Sequence, residues 1–251
     1  MTSPTPREPV AGCYGKLPCL GDFVSRRLPR SFVQPWDAWL QRALAASREQ
    51  LGAAWLDAYL ASPFWRFALS HGLCGPEAWL GVLMPSTDRI GRSFPFTVAM
   101  PLRPACASFR LALQAGGWFD AVEAAMLAAL HPDHDLARLD EELRMLPALD
   151  EPARPADRRA WRVPLPVGEQ AMAGLGAVFD GLAPDGLGPH SGWTTTGSSE
   201  VPASLLVCAG LPPAEGFASL LDGHWSDPAW SDPPPHPSHH DHDHDHERMN
   251  P

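Results

Sequence analysis

Lysine is almost absent. Lys16 is the only one in 251 residues, and arginine carries the remaining basic charge. Acidic residues outnumber Lys and Arg by 29 to 19, for a formal charge of −10. Such a chain has no general attraction to nucleic acid or to an anionic lipid surface, so neither is an expected partner. No apolar run approaches the roughly 18–20 residues of a spanning helix, and membrane insertion is not expected. The opening Met1-Thr2-Ser3-Pro4-Thr5-Pro6-Arg7 lacks a cationic start followed by an apolar stretch, so no secretory signal is read and a cytoplasmic location is expected. Cysteines are few, odd in number and scattered (Cys13, Cys19, Cys74, Cys106, Cys208). In a reducing compartment they read as small buried apolar residues. Cys13 and Cys19 are too loosely spaced for a zinc knuckle.

What is present suits a globular core: 45% of residues are apolar. Residues 1–10 are Pro-rich and read as disordered. Ala11–Leu17 reads as a strand and Leu20–Pro29 as a loop. Ser31 followed by Gln34 fits a capping box, opening a helix with Trp36, Trp39, Leu40, Ala43 and Leu44 on one face. A second helix is expected from about Arg48 to Leu60. Phe64–Leu69, Ala78–Met84 (stopped by Pro85) and Phe94–Met100 (stopped by Pro101) read as strands. Helices follow at Gly116–Leu130 and Asp135–Leu146. Residues 147–166 lack periodicity and read as a linker between an N-terminal lobe, 11–146, and a C-terminal lobe, 167–225, packed on it. The latter offers a helix near 169–182, strands at 191–194 and 204–209, and a helix over 213–221. Residues 226–251 turn Pro-rich, then His/Asp-rich, a composition that cannot bury apolar surface. The expected fold is α/β in the α+β sense: a mixed, largely antiparallel sheet flanked by helices, with a profilin- or longin-like N-terminal part compatible with the pattern.

The string Gly15-Lys16-Leu17-Pro18-Cys19-Leu20-Gly21-Asp22-Phe23 is not a phosphate loop, because Lys16 precedes the turn instead of following Gly-x4-Gly. It resembles the signature of the TagF/ImpM family of type VI secretion-associated proteins. The likeness continues through Arg26, Leu28-Pro29, Phe32, Trp36-Asp37-x-Trp39-Leu40, Ser62-Pro63-x-Trp65-Arg66-Phe67 and Gly81-Val82-x-x-Pro85-Ser86-x-Asp88-x-x-Gly91-Arg92-x-Phe94-Pro95. It ends in His190-Ser191-Gly192-Trp193-Thr194, Ser204-Leu205-Leu206-Val207 and Gly210-Leu211-Pro212. Where family members often carry a double tryptophan, this chain has Gly192-Trp193. The resemblance implies a post-translational regulator, a repressor of secretion assembly, with the forkhead-associated (Fha) scaffold of the apparatus as partner and the sheath proteins next. It implies no catalysis and no cofactor. An accessory structural subunit and a hydrolase with an unrecognised site are the alternatives.

The charges Asp22, Arg26, Arg27, Asp88, Arg89 and Arg92 lie in short loops beside apolar strands. They either contact a partner, a role to which the planar arginine fork is suited, or pair with one another and stitch the two loops together. Trp193, among small polar residues, is either a surface anchor or core. His190-Ser191 lacks the glycines of a nucleophile elbow, with Pro189 and Trp193 in their places. His71, His131 and His134 have no ligand company. In the tail, His239, His240, His242, His244 and His246 alternate with Asp241, Asp243 and Asp245. Neutral imidazoles there would take Ni, Zn or Cu, and the expectation is adventitious binding only.

Overall fold

A computed structural model of the chain describes residues 9–102, 115–131, 133–147, 149, 188–225 and 229–230. The elements are β1 (Gly12–Gly15), β2 (Val24–Arg26), α1 (Arg30–Leu51), α2 (Trp55–Ala61), β3 (Trp65–Leu69), β4 (Ala78–Met84), β5 (Phe96–Leu102), α3 (Gly116–Ala128), α4 (Leu136–Arg144), β6 (His190–Thr195), β7 (Ser204–Ala209) and α5 (Phe217–Asp222). The strands form one antiparallel sheet of seven, in the order β2-β1-β5-β4-β3-β6-β7. The expected α+β architecture with a largely antiparallel sheet is therefore present.

Both faces of the sheet are covered, and this explains the sequence of its central strand. Along β4, Ala78, Leu80, Val82 and Met84 enter one core with Trp118, Phe119, Val122 and Met126 of α3 and Leu139 and Leu143 of α4. Trp79 and Leu83 enter the other core with α1, α2 and α5. Side chains alternate across a strand, so a strand buried on both sides must be apolar at every position. The α1 side is built from large rings around Trp36. Its ring lies 4.9 Å from Trp39, 4.7 Å from Phe67 and 5.9 Å from Trp193, the last stacked at 4°. Its indole N–H donates to the Thr97 hydroxyl at 2.9 Å. Phe67 lies over Gly81, its cross-strand partner, where an added Cβ would stand 2.3 Å from the ring. A glycine is required there because the ring occupies the space.

Several local expectations give way to tertiary context. Ser31 does not cap α1; the N-cap is Pro29, and no side chain bonds the helix start. The helix runs on through Arg48 and breaks at Gly52, whose φ of 52° lies in the region glycine tolerates. A 3-10 turn, Gly52–Ala54, then leads into α2. The loop 20–29 contains the short edge strand β2, too brief to show a period. Pro101 does not stop β5 but sits within it, opposite Trp79. The β1 pairing with β5 reaches only Ala99, so β5 has a free side there, where a strand proline is tolerated. At α4 the cap is as the spacing suggests: Asp135 accepts from the Arg138 N–H at 2.8 Å.

The segment 190–209 extends the same sheet. β6 pairs with β3, setting Trp193 opposite Phe67, and β7 pairs with β6. Residues 1–8, most of the 147–166 stretch, the helix expected near 169–182, and the tail lie outside the described residues, as does Cys106.

Trp193 has no exposed surface. Trp193→Ala should therefore lower unfolding free energy by about 3–5 kcal/mol, read from urea midpoints; a change within about 0.5 kcal/mol would return it to the surface. Burial pushes the Cys13 and Cys74 thiols up to about 12 and the Cys208 thiol up to about 11. Iodoacetamide at mildly alkaline pH should thus leave these three unmodified in the folded protein, as mass spectrometry of the peptides will show, and label them once the chain is unfolded in urea.

Candidate functional site

Two loops meet at the end of the sheet where β1 and β4 finish and β5 begins: residues 16–23 and residues 85–95. Backbone and side chains join them. The Ser86 hydroxyl donates to the Lys16 carbonyl at 2.8 Å, and the Arg89 N–H donates to the Leu20 carbonyl at 2.8 Å. Arg92 reaches across to the Gly21 carbonyl at 2.8 Å. Beneath them Tyr59 of α2 clamps Ser86, its hydroxyl donating to the Ser86 carbonyl at 2.8 Å and accepting from the Ser86 N–H at 2.9 Å.

The centre of this junction is Asp88, whose side chain is fully buried. One carboxylate oxygen accepts from the backbone N–H of Ile90 at 3.1 Å and of Arg92 at 2.9 Å. The other receives the Arg92 guanidinium at 2.6 Å and the Lys16 ammonium at 3.1 Å. Burial by itself would raise the Asp88 pKa. The Arg92 N–H, the Lys16 and Arg92 side chains and the Ile90 N–H outweigh it and hold the carboxyl well below its usual range. The turn that follows is closed by the Gly91 N–H donating to the Asp88 carbonyl at 2.9 Å, with Gly91 at φ 82°.

Of the residues singled out in the sequence, this places Asp88 and Arg92 in one ion cluster with Lys16, the stitching arrangement. Arg27 lies elsewhere. It has a positive φ of 60°, donates to the Ala11 carbonyl at 2.7 Å and pairs with Asp140, tying the β2 edge to α4. The same pairing, with Arg144 adding to it, holds the Asp140 carboxyl below its ordinary range against the effect of burial. Asp22 accepts from the N–H of Phe23 at 2.8 Å, within its own turn. Arg26 and Arg89 are exposed and make no ion pair among the described residues. Trp193 is core and so cannot be an anchor for a partner.

Two residues that sequence reasoning passed over complete the face. Phe23 is 45% exposed and Ile90 69% exposed. Phe23 is held upright by its neighbours: it stacks on Tyr14 at 5.8 Å, meets Phe94 edge-on at 4.8 Å and lies 5.2 Å below the Lys16 ammonium. Tyr14 in turn donates to Asp37 of α1 at 2.6 Å. The available signal was an isoleucine set in an otherwise polar turn, Asp88-Arg89-Ile90-Gly91-Arg92. Arg89, Ile90 and Arg92 thus stand exposed on one loop and Phe23 on the other, and the two loops are locked together.

Elsewhere, the Ser191 hydroxyl is spent on the fold, donating to the Gly210 carbonyl at 2.6 Å and accepting from the Trp193 indole at 3.0 Å. His134 is buried and faces Glu142 at 3.1 Å. Among the described residues no group of three or more His, Cys, Asp and Glu side chains is placed to hold a metal, and none of their helices is long and apolar enough to cross a membrane.

Compared with known proteins, residues 12–146 match the model of a family described as the TagF N-terminal domain, type VI secretion system-associated. The crystal structure of PA0076 from Pseudomonas aeruginosa PAO1 is 42% identical, over 89% of this chain and 100% of that one, with a TM-score of 0.69. No curated protein matches the chain.

Because the folded-state pKa of Asp88 is depressed, its stabilising contribution is present above its unfolded value near about 4 and is lost as pH falls through the folded value. Asp88→Asn should therefore unfold at lower urea than wild type at neutral pH, and the gap should narrow as the pH drops below about 4. A gap that stays constant across that range would show that the carboxylate's charge does not hold the junction.

Proposed function

The chain belongs to the TagF family of type VI secretion system-associated proteins, and from that premise we propose that it is a post-translational regulator, a repressor of type VI secretion assembly that acts by binding and not by catalysis. Its direct partner in this reading is the Fha scaffold of the apparatus, with sheath proteins the next candidates, and it works in the cytoplasm without a cofactor.

One observation carries the binding role: the exposed side chains of Arg89, Ile90 and Arg92, with exposed Phe23 on the adjoining loop, sit on a backbone already fixed by buried Asp88. Arginine and large apolar side chains dominate the energetics of interfaces. A face whose loops are ordered before association loses less conformational entropy on docking. Lys16 and Arg92 are occupied with Asp88, an arrangement that shapes a surface. The internal bonding of Ser191 weighs against a hydrolase built on His190-Ser191.

Arg89 and Ile90 test the reading more cleanly than Arg92, since neither side chain holds the junction together. With the Fha scaffold from the same secretion cluster, calorimetry should give at least about a tenfold weaker Kd for Arg89→Ala and for Ile90→Ser, equivalent to about 1.4 kcal/mol each, with an unchanged thermal midpoint. Undiminished binding by both variants would leave the loops a structural role. Failure of the wild-type protein to bind would remove the scaffold as direct partner and bring the sheath proteins forward.

A further inference from the structure

β7 is one edge of the sheet, and among the described residues it pairs only with β6. The direction of its backbone groups follows from its neighbours. The Ser70 N–H donates to the His190 carbonyl at 2.9 Å, and the His190 N–H donates to the Ser70 hydroxyl at 2.8 Å, so the backbone of His190 faces the β3 side. Antiparallel ladders alternate residue by residue. Ser191, Trp193 and Thr195 therefore face β7, as does Pro189, whose carbonyl accepts from the Gly210 N–H at 2.8 Å. Their register partners Cys208, Leu206 and Ser204 face back toward β6. The N–H and C=O groups of Leu205, Val207 and Ala209 are left pointing out of the sheet.

The two edges of the sheet differ in kind. β2 runs only over Val24–Arg26, ends on a charge, and is followed by Arg27 at φ 60°; short, charged edges resist pairing. β7 runs over Ser204–Ala209 with no proline and no charge. No charged residue stands anywhere between Glu200 and Glu215, on a chain of net charge −10. Leu205 and Val207 are half-buried and Ala209 is exposed.

That neutrality indicates what the edge fits. Two copies of so acidic a chain repel one another over most of their surface, and along β7 they can approach without opposing like charges. An antiparallel pair is also self-complementary about a two-fold axis. With Val207 on the axis, Val207 stands opposite the second copy's Val207 and Leu205 opposite its Ala209, and every outward N–H and C=O group of the strand finds a partner. Sliding the register one way leaves Ala209 outside the pairing, and sliding it the other way leaves Leu205 outside.

We propose that β7 is a self-association edge, on which two copies of this chain pair antiparallel about Val207 to form one continuous sheet. Pairing of two strands this short falls below the about 1,200 Å² of a stable interface, so the dimer is reversible and grows with concentration. β7 lies at the opposite edge from β2, which leaves the junction of the loops 16–23 and 85–95 uncovered in both copies. The pairing does not depend on the partner-binding reading above.

Sedimentation equilibrium of the full chain under reductant, from low micromolar to submillimolar concentration, tests this. Wild type should pass from monomer toward dimer mass and stop there, since pairing consumes the edge. Val207→Lys and Val207→Glu should each weaken dimerisation by at least about tenfold, because like charges would then face each other across the axis. An equal mixture of the two should recover the dimer, as opposite charges then meet. Val207→Pro, which deletes an outward N–H and no bond to β6, should be weakened like the charged variants. Unchanged thermal midpoints will show that the variants are folded. Wild type monomeric at every concentration would overturn the proposal and leave the edge to an extended segment of another protein. Variants that dimerise as wild type does would overturn it as well, placing the contact elsewhere on the surface. Failure of the mixture to recover the dimer would overturn the register about Val207.

Discussion

The junction at the end of the sheet depends on one buried carboxylate. Asp88 collects two backbone N–H groups and two cations, and each of those partners belongs to a loop that would otherwise be free to move. A buried charge is tolerable only when its hydrogen-bonding capacity is filled, so the loops are obliged to come together in one arrangement. The only lysine of the chain is spent here. Its slender ammonium fits between Asp88 and the ring of Phe23, where a planar guanidinium would demand more room. Order therefore runs outward from a charge that no partner touches to the side chains that a partner can reach.

The second constraint is aromatic volume. Trp36 touches rings from its own helix, from β3 and from β6, and that cluster fixes how α1 lies on the sheet. The requirement propagates to a residue as small as Gly81, which leaves the space that Phe67 fills. The opposite core has smaller side chains along β4, with the larger β5 side chains Phe96, Val98, Met100 and Leu102 beside them, and is closed by α3 and α4.

Much of this was legible in the sequence because it is periodic. Ala78–Met84 and Ser204–Ala209 are strands over the ranges their patterns suggest, and the apolar face of α1 is the one the spacing marks. What was not legible lay where local preference met a long-range demand. Ser31 and Gln34 form a good capping pair, yet Pro29 starts the helix. Pro101 reads as a stop, yet the neighbouring strand has already ended. At the face, the stitching of Asp88 to Arg92 was one of two readings that spacing allowed, since a carboxylate four residues before an arginine serves either. Phe23 and Ile90 were missed because exposure of a single apolar residue has no signature in composition. Trp193 sits among small polar residues for a different reason: glycine, serine and threonine line the strand that lets its large ring reach Trp36.

The antiparallel pairing of β6 with β3 has a consequence for the order in which the molecule comes into being. As the chain emerges from the ribosome, α1, β3 and β4 are made long before residues 190–209. Until those arrive, β3 is an open edge strand and the Trp36–Phe67 surface lacks the indole that caps it. Unpaired edges beside apolar surface are where nascent chains associate wrongly. A ribosome that stalls or terminates between these two stretches would release a polypeptide holding most of the family's recognisable motifs and an uncovered, adhesive side. Correct folding is thereby tied to completion of translation.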